Sequence, residues 1–398
     1  MNTINTLARA AIAVAVLAAL TLTATAQKAP ATAYFPDRFE WRTQTLEQAR
    51  IDAAKLDAAI KFSIASENPG NKDLAIDLAT SFGREPFDTP IGPVKPRGAL
   101  NGVIVKNGSI VAEWGETTRV DMTFSVTKSF LSTVVGLLWQ KGLIHDVTDR
   151  VRDYMPTPEL FDGPHNSKIT WEHLLRQTSD WQGTLWGKPD WADRPEGQSP
   201  ADWPNRKLSE PGTRYKYNDV RVNVLALAAL HVARRPLPEM LRDEIMEPIG
   251  ASSTWRWHGY ENAWIDLDGR KVQSMTGGGH WGGGMFISAR DMARFGYLFL
   301  RNGRWRDRQI VSLKWIDMAR SPGPANQGYG YMNWFLNSGP KPAFPRAPAS
   351  VVTFQGNGSN IIYIDWENDL VVVVRWIRQA AFDEFIGQVL DAVRPSKR

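Results

Sequence analysis

The sequence has 398 residues, of which 43% are hydrophobic and 22% are charged, and this balance is typical of a folded globular protein rather than a disordered chain. Cysteine is absent, which excludes disulfides and thiol chemistry. The net charge of +5 is mild and spread along the chain, with no basic tract suited to a phosphate backbone, so a nucleic-acid partner is not expected.

Residues 1–26 predict a secretory signal peptide. One positive charge, Arg9, precedes a run of small apolar residues, and Ala24-Thr25-Ala26 supplies an Ala-x-Ala cleavage site. The apolar run from Ala10 to Leu22 is short for a transmembrane anchor, which needs roughly 20 apolar residues. We therefore expect cleavage after Ala26, a periplasmic or secreted mature protein, and no membrane anchor once the signal has been removed.

The first predicted elements are a helix, a β-hairpin and two further helices. Apolar spacing from Leu46 to Ser66 suits a helix. Two β-type runs flank Asn107-Gly108, which is a strong short-range signal for a hairpin. The pattern is helical from Ser125 to Gly142 and again from Trp171 to Gln177. A loop rich in Trp, Gly, Pro and Asp follows over residues 178–211.

The second half of the chain alternates helical and glycine-rich segments before it ends in a hairpin and a helix. The predicted elements are, in order, helices over Val220–Arg234 and Pro238–Met246, a glycine-rich break at 277–284, a helix capped by Ser288 and stopped by Gly303, a hairpin that turns at Asn368-Asp369, and a last helix over Phe382–Val393.

Strands thus lie towards both ends of the sequence, with helices between them. Strands from two distant segments most economically form one antiparallel sheet, covered by the first and last helices. The chain is long enough for two interlocked domains. We predict an α/β (α+β) fold in which residues 27–120 and 265–398 form the sheet domain and residues 121–264 form an inserted all-helical domain.

Ser125 and Lys128 form a Ser-x-x-Lys pattern at the start of a long apolar helix. Positions i and i+3 of a helix face the same way, so the serine Oγ would lie beside the lysine amine. The helix N-terminus and apolar surroundings favour a neutral amine, which can act as the base for the serine. The alternative is a capping serine and a solvated lysine. A second Ser-x-x-Lys stretch at 338–341 contains Pro340 and cannot be a helix interior.

Two further polar segments strengthen the catalytic hypothesis. Tyr217-Asn218-Asp219 stands just before an apolar helix, and a tyrosine can move protons when a lysine lies beside it. Gly356-Asn357-Gly358 stands at the entry to a strand, where glycines let backbone N–H groups approach a substrate closely. Two such donors make an oxyanion hole.

These three motifs, in this order, resemble the serine β-lactamase and penicillin-binding-protein superfamily, most of all its class C-type branch of esterases, D-amino peptidases and aminohexanoate-oligomer hydrolases. The resemblance covers about Gly98 to Val393. The stretches that carry it are "FSVTKSF", "WEHLLRQTSDW", "PGTRYKYND", "GGGMFISARDMARFG" and "YIDWENDLVVVV". It implies acyl transfer through a serine.

The resemblance also implies a role for each matching residue. Ser125 matches the nucleophile, Lys128 the neighbouring base, and Tyr217 the tyrosine that protonates the leaving group. Gly356-Asn357-Gly358 lies where the family has Lys-Thr-Gly or His-x-Gly. The N–H groups of Ser359 and Ser125 would then form the oxyanion hole.

Two departures from the family pattern bear on the substrate. Asp219 replaces the Asn of Tyr-x-Asn, and we expect it to orient a substrate amine or help position the hydrolytic water. Gly356 replaces the cation that, in β-lactamases, favours binding of the substrate carboxylate. β-Lactams are therefore expected to be poor substrates compared with neutral short-chain esters, unless another arginine, such as Arg346 or Arg375, supplies the charge.

Other residues give weaker signals. His280 is a candidate for the cleft; the alternative is a loop histidine packed on Trp281. The remaining histidines lack ligand spacing such as His-Glu-x-x-His, so neither a metal nor another cofactor is expected. No Gly-x-Ser-x-Gly elbow exists, which argues against an α/β-hydrolase. Trp181, Trp186 and Trp191 either form a substrate wall or pin the long loop to the protein.

The sequence therefore predicts a serine hydrolase that cleaves a small-molecule ester, amide or peptide through an acyl-Ser125 intermediate. A protein of a different class is the alternative: a non-catalytic protein of the same fold that binds cell-wall peptide or a partner. The presence of Ser125, Lys128 and Tyr217 together favours the enzyme.

Overall fold

We describe the protein from a computed structural model that covers residues 33–157 and 159–393. From Tyr34 onward the chain forms one compact unit. The predicted signal peptide, residues 1–26, lies outside the described residues. Within the part of the chain that is described, no helix is both long enough and apolar enough to cross a bilayer.

Ten α-helices lie within the described residues. They are α1 Ala53–Ala65, α2 Leu74–Phe82, α3 Val126–Gln140, α4 Gly163–Asn166, α5 Trp171–Leu175, α6 Asp219–Ala233, α7 Leu237–Leu241, α8 Ala289–Leu300, α9 Leu313–Ala319 and α10 Phe382–Val393. The first begins later than the predicted Leu46, because Asp52 caps it by accepting a hydrogen bond from the Lys55 N–H. The last begins and ends where the sequence predicts.

Fourteen strands are found in the same residues. They are β1 Asn101–Lys106, β2 Ser109–Trp114, β3 Asp121–Met122, β4 Thr184–Leu185, β5 Lys188–Pro189, β6 Arg256–Leu267, β7 Arg270–Met275, β8 Gly284–Ile287, β9 Arg304–Trp305, β10 Arg308–Gln309, β11 Trp334–Phe335, β12 Val352–Gly356, β13 Asn360–Asp365 and β14 Leu370–Arg375. The predicted hairpin between β1 and β2 turns at Asn107 and Gly108. Their φ angles of 50° and 82° suit a tight two-residue turn.

The main sheet has six antiparallel strands in the order β11-β12-β13-β14-β1-β2, so the early hairpin joins the late one through β1 and β14. Alternate side chains of β14 face opposite ways. Val372 and Val374 pack into the core formed with α1 and α10, whereas Val371 and Val373 pack into the core that contains α3 and α8. The prediction of an antiparallel sheet covered by the first and last helices is confirmed.

The segment predicted to be all-helical also contains strands. A second antiparallel sheet, in the order β3-β8-β6-β7, includes β3 and most of β6. Strand β6 runs from Arg256 to Leu267 and therefore crosses the predicted boundary at residue 264. It alternates buried and exposed residues over much of its length and pairs with β7 and β8, so sheet structure resumes near Arg256. The division of the chain into two domains stays a prediction.

Candidate active site

Ser125 lies at the N-terminus of α3, where the chain turns sharply out of β3. The preceding Phe124 has a φ of 48°, an uncommon conformation for a bulky residue. Two hydrogen bonds hold this turn, since the Phe124 carbonyl accepts from the Thr127 N–H at 3.0 Å and from the Thr127 hydroxyl at 2.6 Å. The Ser125 side chain makes no capping hydrogen bond. Its hydroxyl is thus presented at the helix N-terminus and left for other partners.

Lys128 is buried one helical turn later and points back towards Ser125. Its Nζ lies 2.8 Å from Ser125 Oγ and 3.2 Å from the Gly277 carbonyl oxygen. Its third neighbour is Asp219, whose Oδ1 lies 2.7 Å from the same nitrogen. The spacing of Ser-x-x-Lys thus places the two side chains in direct contact, as helix geometry requires.

Tyr217 completes the polar group around the serine. Tyr217 lines the cleft together with Ser125, and Lys128 Nζ lies 5.0 Å from its ring centroid. Trp334 stacks on the ring at a centroid distance of 5.8 Å. Burial raises the pKa of Tyr217, and the charge of Asp219 raises it further, so the residue is a neutral phenol that can donate a proton.

Asp219 is buried behind Lys128 as the first residue of α6, which Asn218 caps. Burial alone would raise the pKa of Asp219, but the charge of Lys128, followed by those of Arg194 and His280, holds it well below its usual value. The carboxylate therefore stays charged and pairs with the lysine. The sequence predicted that this anion lies near the substrate, whereas the structure places it against Lys128 and outside the lining of the cleft.

His280 is also buried behind the cleft. Its ring stacks on Phe82 at a centroid distance of 4.5 Å and packs on Trp281 at 4.2 Å. Its Nδ1 lies 3.3 Å from Asp219 Oδ2, and its Nε2 lies 3.4 Å from a Glu85 carboxylate oxygen. Both sequence-based alternatives for His280 therefore hold in part. The ring packs on Trp281, and it also contacts Asp219, which in turn contacts Lys128.

The third motif divides between the cleft and the core. Gly356 and Asn357 line the cleft. Gly358 has a φ of 70° and backs onto the Trp376 ring. Ser359 is buried in the same turn, and its hydroxyl donates to the Gln379 side chain at 2.7 Å. The first two residues of this segment, Gly356 and Asn357, therefore line the cleft, whereas Gly358 and Ser359 do not.

Gly356 is tightly confined by the backbone that leads to the nucleophile. A Cβ added there would lie 2.2 Å from the Thr123 carbonyl oxygen and 3.0 Å from the Ser125 nitrogen. Real Cβ atoms do not come so close to backbone atoms, so only glycine fits. The family's cation is missing here because the strand runs directly against the turn before Ser125.

Neither arginine proposed as a replacement cation reaches the cleft. Arg375 is buried in the main sheet and donates to backbone carbonyl oxygens, including those of Asp121 and Ile287. Arg346 pairs with Glu384 and Asp391. A different arginine, which the sequence did not single out, lies at the cleft.

The cleft has a volume of about 350 Å³. Its lining combines residues of the three motifs with residues from other segments; they are Phe82, Ser125, Arg194, Tyr217, Trp334, Gln355, Gly356 and Asn357. Phe82, Arg194 and Trp334 carried no local signal that could have identified them, because each comes from a separate segment. The tryptophans of the long loop are not in this set. Trp181 is buried and donates to the Leu160 carbonyl at 2.6 Å, which pins the loop.

One cluster could offer ligands to a metal ion. Ligand atoms of Glu85, Asp193 and His280 lie within 4.8 Å of one another. The guanidinium of Arg194 contacts the Asp193 carboxylate, however, so a positive charge already occupies one side of the cluster. This arrangement suits a hydrogen-bonded support for Asp219 and Arg194 better than it suits a cation site.

Replacing Asp219 by asparagine is expected to lower kcat/KM for an ester by about 10- to 100-fold. Asp219 Oδ1 lies 2.7 Å from Lys128 Nζ, and a hydrogen bond to a charged group contributes about 1.5–3 kcal/mol once the amine carries a proton taken from Ser125. The measurement is kcat/KM for an ester, with thermal unfolding as the check that the variant is folded. Asp266→Asn, at an exposed ion pair with Lys271, is the control; an Asp219→Asn protein with wild-type kcat/KM would contradict this role.

The comparisons with known proteins agree with this fold. A model of the Beta-lactamase family matches residues 97–384, most of the chain. The protein therefore belongs to the Beta-lactamase family, within the serine β-lactamase and penicillin-binding-protein superfamily. The predicted family is confirmed, and a hydrolase of this superfamily is supported.

One sequence relative and two solved structures show what the chain is similar to. The 6-aminohexanoate-dimer hydrolase of Paenarthrobacter ureafaciens is 25% identical over 281 residues, which span 63% of this chain and 64% of that enzyme. Thus the chain spans less than two thirds of that relative's length. Among solved structures, EstCE1, a hydrolase with promiscuous acyltransferase activity, matches with a TM-score of 0.56 and 14% identity over 86% of this chain and 100% of its own. A β-lactamase from Mycobacterium bovis matches with a TM-score of 0.51 and 20% identity over 76% and 95%. At these identities, the structural matches establish the fold alone.

Proposed function

We propose that the protein is a serine hydrolase that cleaves an ester or amide through an acyl-Ser125 intermediate. The observation that carries the proposal is the 2.8 Å contact between Lys128 Nζ and a serine Oγ at a helix N-terminus, in an open cleft. A nucleophile needs a base within hydrogen-bonding distance, and this contact supplies one.

In this mechanism, Lys128 accepts the Ser125 proton as Oγ attacks the carbonyl carbon. The ammonium that forms is stabilised by the Asp219 carboxylate at 2.7 Å. Tyr217, a neutral phenol that lines the cleft with Ser125, gives its proton to the leaving group. The Lys128 ammonium then returns its proton to the Tyr217 phenolate. Water attacks the acyl carbonyl carbon, its OH stays with the released acid, and its other proton passes through the same side chains to the departing Ser125 Oγ.

The oxyanion hole requires two donors, and the N–H of Ser125 at the start of α3 is the first. The sequence suggested the N–H of Ser359 as the second. We favour a donor from residues 355–357, because these residues line the cleft and Ser359 does not.

The proposed substrates are small esters, amides or peptides. The sequence relative is named a 6-aminohexanoate-dimer hydrolase, and one structural neighbour is a hydrolase with promiscuous acyltransferase activity, which supports a hydrolase that transfers acyl groups. β-Lactams are proposed to be poor substrates, because Gly356 offers no side chain to a carboxylate held at β12. A periplasmic or secreted location remains part of the proposal.

The test is covalent labelling by a fluorophosphonate, followed by mass spectrometry of the peptides. One adduct is expected, on the peptide that contains Ser125, and Ser125→Ala should abolish it. Ser338→Ala, at the other Ser-x-x-Lys stretch, should label like wild type. A folded protein that takes no label would support the non-catalytic binding protein instead, and label that survives Ser125→Ala would refute the mechanism.

A further inference from the structure

Arg194 stands out among the residues that line the cleft. Of the eight lining residues within the described chain, it is the one with a charged side chain. Its side chain is 38% exposed, whereas Lys128 and Asp219 are buried behind the cleft wall. Substrate therefore meets one cation at the surface of the cleft, and this cation lies in the loop that precedes α6.

The guanidinium is held firmly on one side. Its Nη1 contacts the Asp193 carboxylate and lies 3.4 Å from Asp219 Oδ2. Its Cζ lies 5.0 Å from the centroid of the Tyr217 ring and 5.8 Å from that of Phe82. Contacts of this kind fix the plane of the guanidinium and reduce the entropy lost when it binds a ligand.

The other side of the guanidinium has unused donors. Its Nη2 and Nε make no side-chain hydrogen bond to any residue in 33–157 or 159–393. These two atoms present adjacent N–H groups, a spacing that matches the two oxygens of a carboxylate. A partly exposed, immobilised arginine with this edge free is suited to bidentate recognition of an anion.

The balance of charge around Arg194 also favours an anion. Burial raises the pKa of Asp193, and the neighbouring Asp219 raises it further. Burial likewise raises the pKa of Glu85, whose carboxylate accepts the Arg194 N–H. Both acids are thereby biased towards their neutral forms. The remaining carboxylate near Arg194 is that of Asp219, which is shared with Lys128 at 2.7 Å, so the guanidinium is not fully neutralised by its neighbours.

We propose that Arg194 binds a carboxylate of the substrate, so that the preferred substrates are esters or amides that carry a carboxylate near the scissile bond. This inference rests on the proposed function and names its substrate class. It differs from the family's third-motif cation in position, because Arg194 belongs to the loop before α6 and lies on the Tyr217 ring rather than on β12. A carboxylate directed towards β12 still finds no partner at Gly356.

Two matched pairs of substrates test the proposal on either side of the scissile bond. In the first pair, mono-4-nitrophenyl glutarate carries a carboxylate in the acyl part and 4-nitrophenyl pentanoate does not. In the second, 4-acetoxybenzoate carries it in the leaving group and its methyl ester does not. The readout is the ratio of kcat/KM for the anionic and the neutral member. Arg194→Gln should lower that ratio about 10- to 100-fold in at least one pair.

Three variants make the result specific. Arg194→Lys keeps the charge but loses the paired donors, so its ratio should fall between those of wild type and Arg194→Gln. Asp193→Asn combined with Arg194→Gln changes both members of the contacting pair, so that the Asp193 carboxyl is not left buried without its partner, and should show the same loss if the single variant folds poorly. Arg242→Gln, at an exposed arginine paired with Asp243, should leave the ratio unchanged.

A ratio within about threefold of wild type in both pairs, for Arg194→Gln and for the double variant, would overturn the inference. Labelling of Ser125 by the fluorophosphonate separates this outcome from failure of the proposed function. Normal labelling with an unchanged ratio refutes the carboxylate site and leaves the hydrolase intact. Loss of the preference for anionic substrates in Arg194→Gln, with normal labelling of Ser125, supports both the hydrolase function and the carboxylate site.

Discussion

Replacing Lys128 by arginine is expected to lower the rate of ester hydrolysis by about 10²- to 10⁴-fold, the usual contribution of a general base. Arginine keeps a positive charge for the Asp219 carboxylate, so the buried ion pair can persist. It cannot lose a proton in the working pH range, however, and so cannot accept one from Ser125. The expected defect lies in acylation, measured as the rate of fluorophosphonate labelling and as kcat/KM for a neutral ester.

The matched control is Lys141→Arg, at the C-terminal end of the same helix. Lys141 pairs with Glu244 at 2.8 Å and is largely exposed, so the same chemical change there should leave the rate unaltered. Thermal unfolding of both variants shows whether the larger side chain at position 128 disturbs packing. Near-wild-type turnover by a folded Lys128→Arg protein would mean that the lysine is a structural charge and that another group activates Ser125.

Replacing Asp180 by alanine is expected to lower the free energy of unfolding by about 3–5 kcal/mol, the range for breaking a buried ion pair from one side. Asp180 is buried in the long loop after α5, and its carboxylate lies 2.6 Å from Arg221 Nη2 and 2.8 Å from Arg206 Nη1. It also accepts the Ser209 N–H at 2.7 Å. Without it, two largely buried guanidinium groups share the one carboxylate of Asp190.

The comparison is with Asp266→Ala, which breaks an exposed pair with Lys271 and should cost about 1 kcal/mol or less. Burial would raise the pKa of Asp180, but Arg221, Ser209 and Arg206 hold it below its usual value. The stabilisation by Asp180 is therefore fully present at pH values above the pKa of this carboxyl in the unfolded chain. It is lost as the pH falls through the lower pKa that the carboxyl has in the folded protein. Urea titrations at neutral and acid pH measure both effects; equal losses for the two variants would contradict this account.

The fold was largely predictable because its signals are local. The Asn107-Gly108 turn, the Ser288 cap and the pattern of the last helix each act within a few residues, and the structure has these elements where they were expected. The contact between Ser125 and Lys128 also follows from the geometry of a single helix. The strand that begins at Arg256 was missed, although it forms a hairpin with β7 through the local Asp268-Gly269 turn; only its first residues pair with a more distant strand, β8.

The parts of the candidate site that the sequence did not give depend on contacts between distant segments. Asp219 was recognised as a departure from the family pattern, but its partner is set by how α6 packs on α3. Arg194 has no motif around it, and its position depends on the folding of the long loop and on Asp193 and Asp219. For Gly356, the sequence showed a missing cation; the structure supplied the reason, which is the approach of Thr123.

The confinement of Gly356 has a consequence for evolution. A Cβ at this position would lie 2.2 Å from the Thr123 carbonyl oxygen. Replacing this one residue therefore cannot restore the lysine or histidine that other members of the family carry. A lineage that acquired such a cation would first need other substitutions that move the turn at Thr123. Proteins with only some of these substitutions would have a displaced Ser125. Selection for recognition of charged substrates is therefore directed away from β12. It acts instead on exposed loops around the cleft, where a side chain can be exchanged without moving the backbone of the nucleophile.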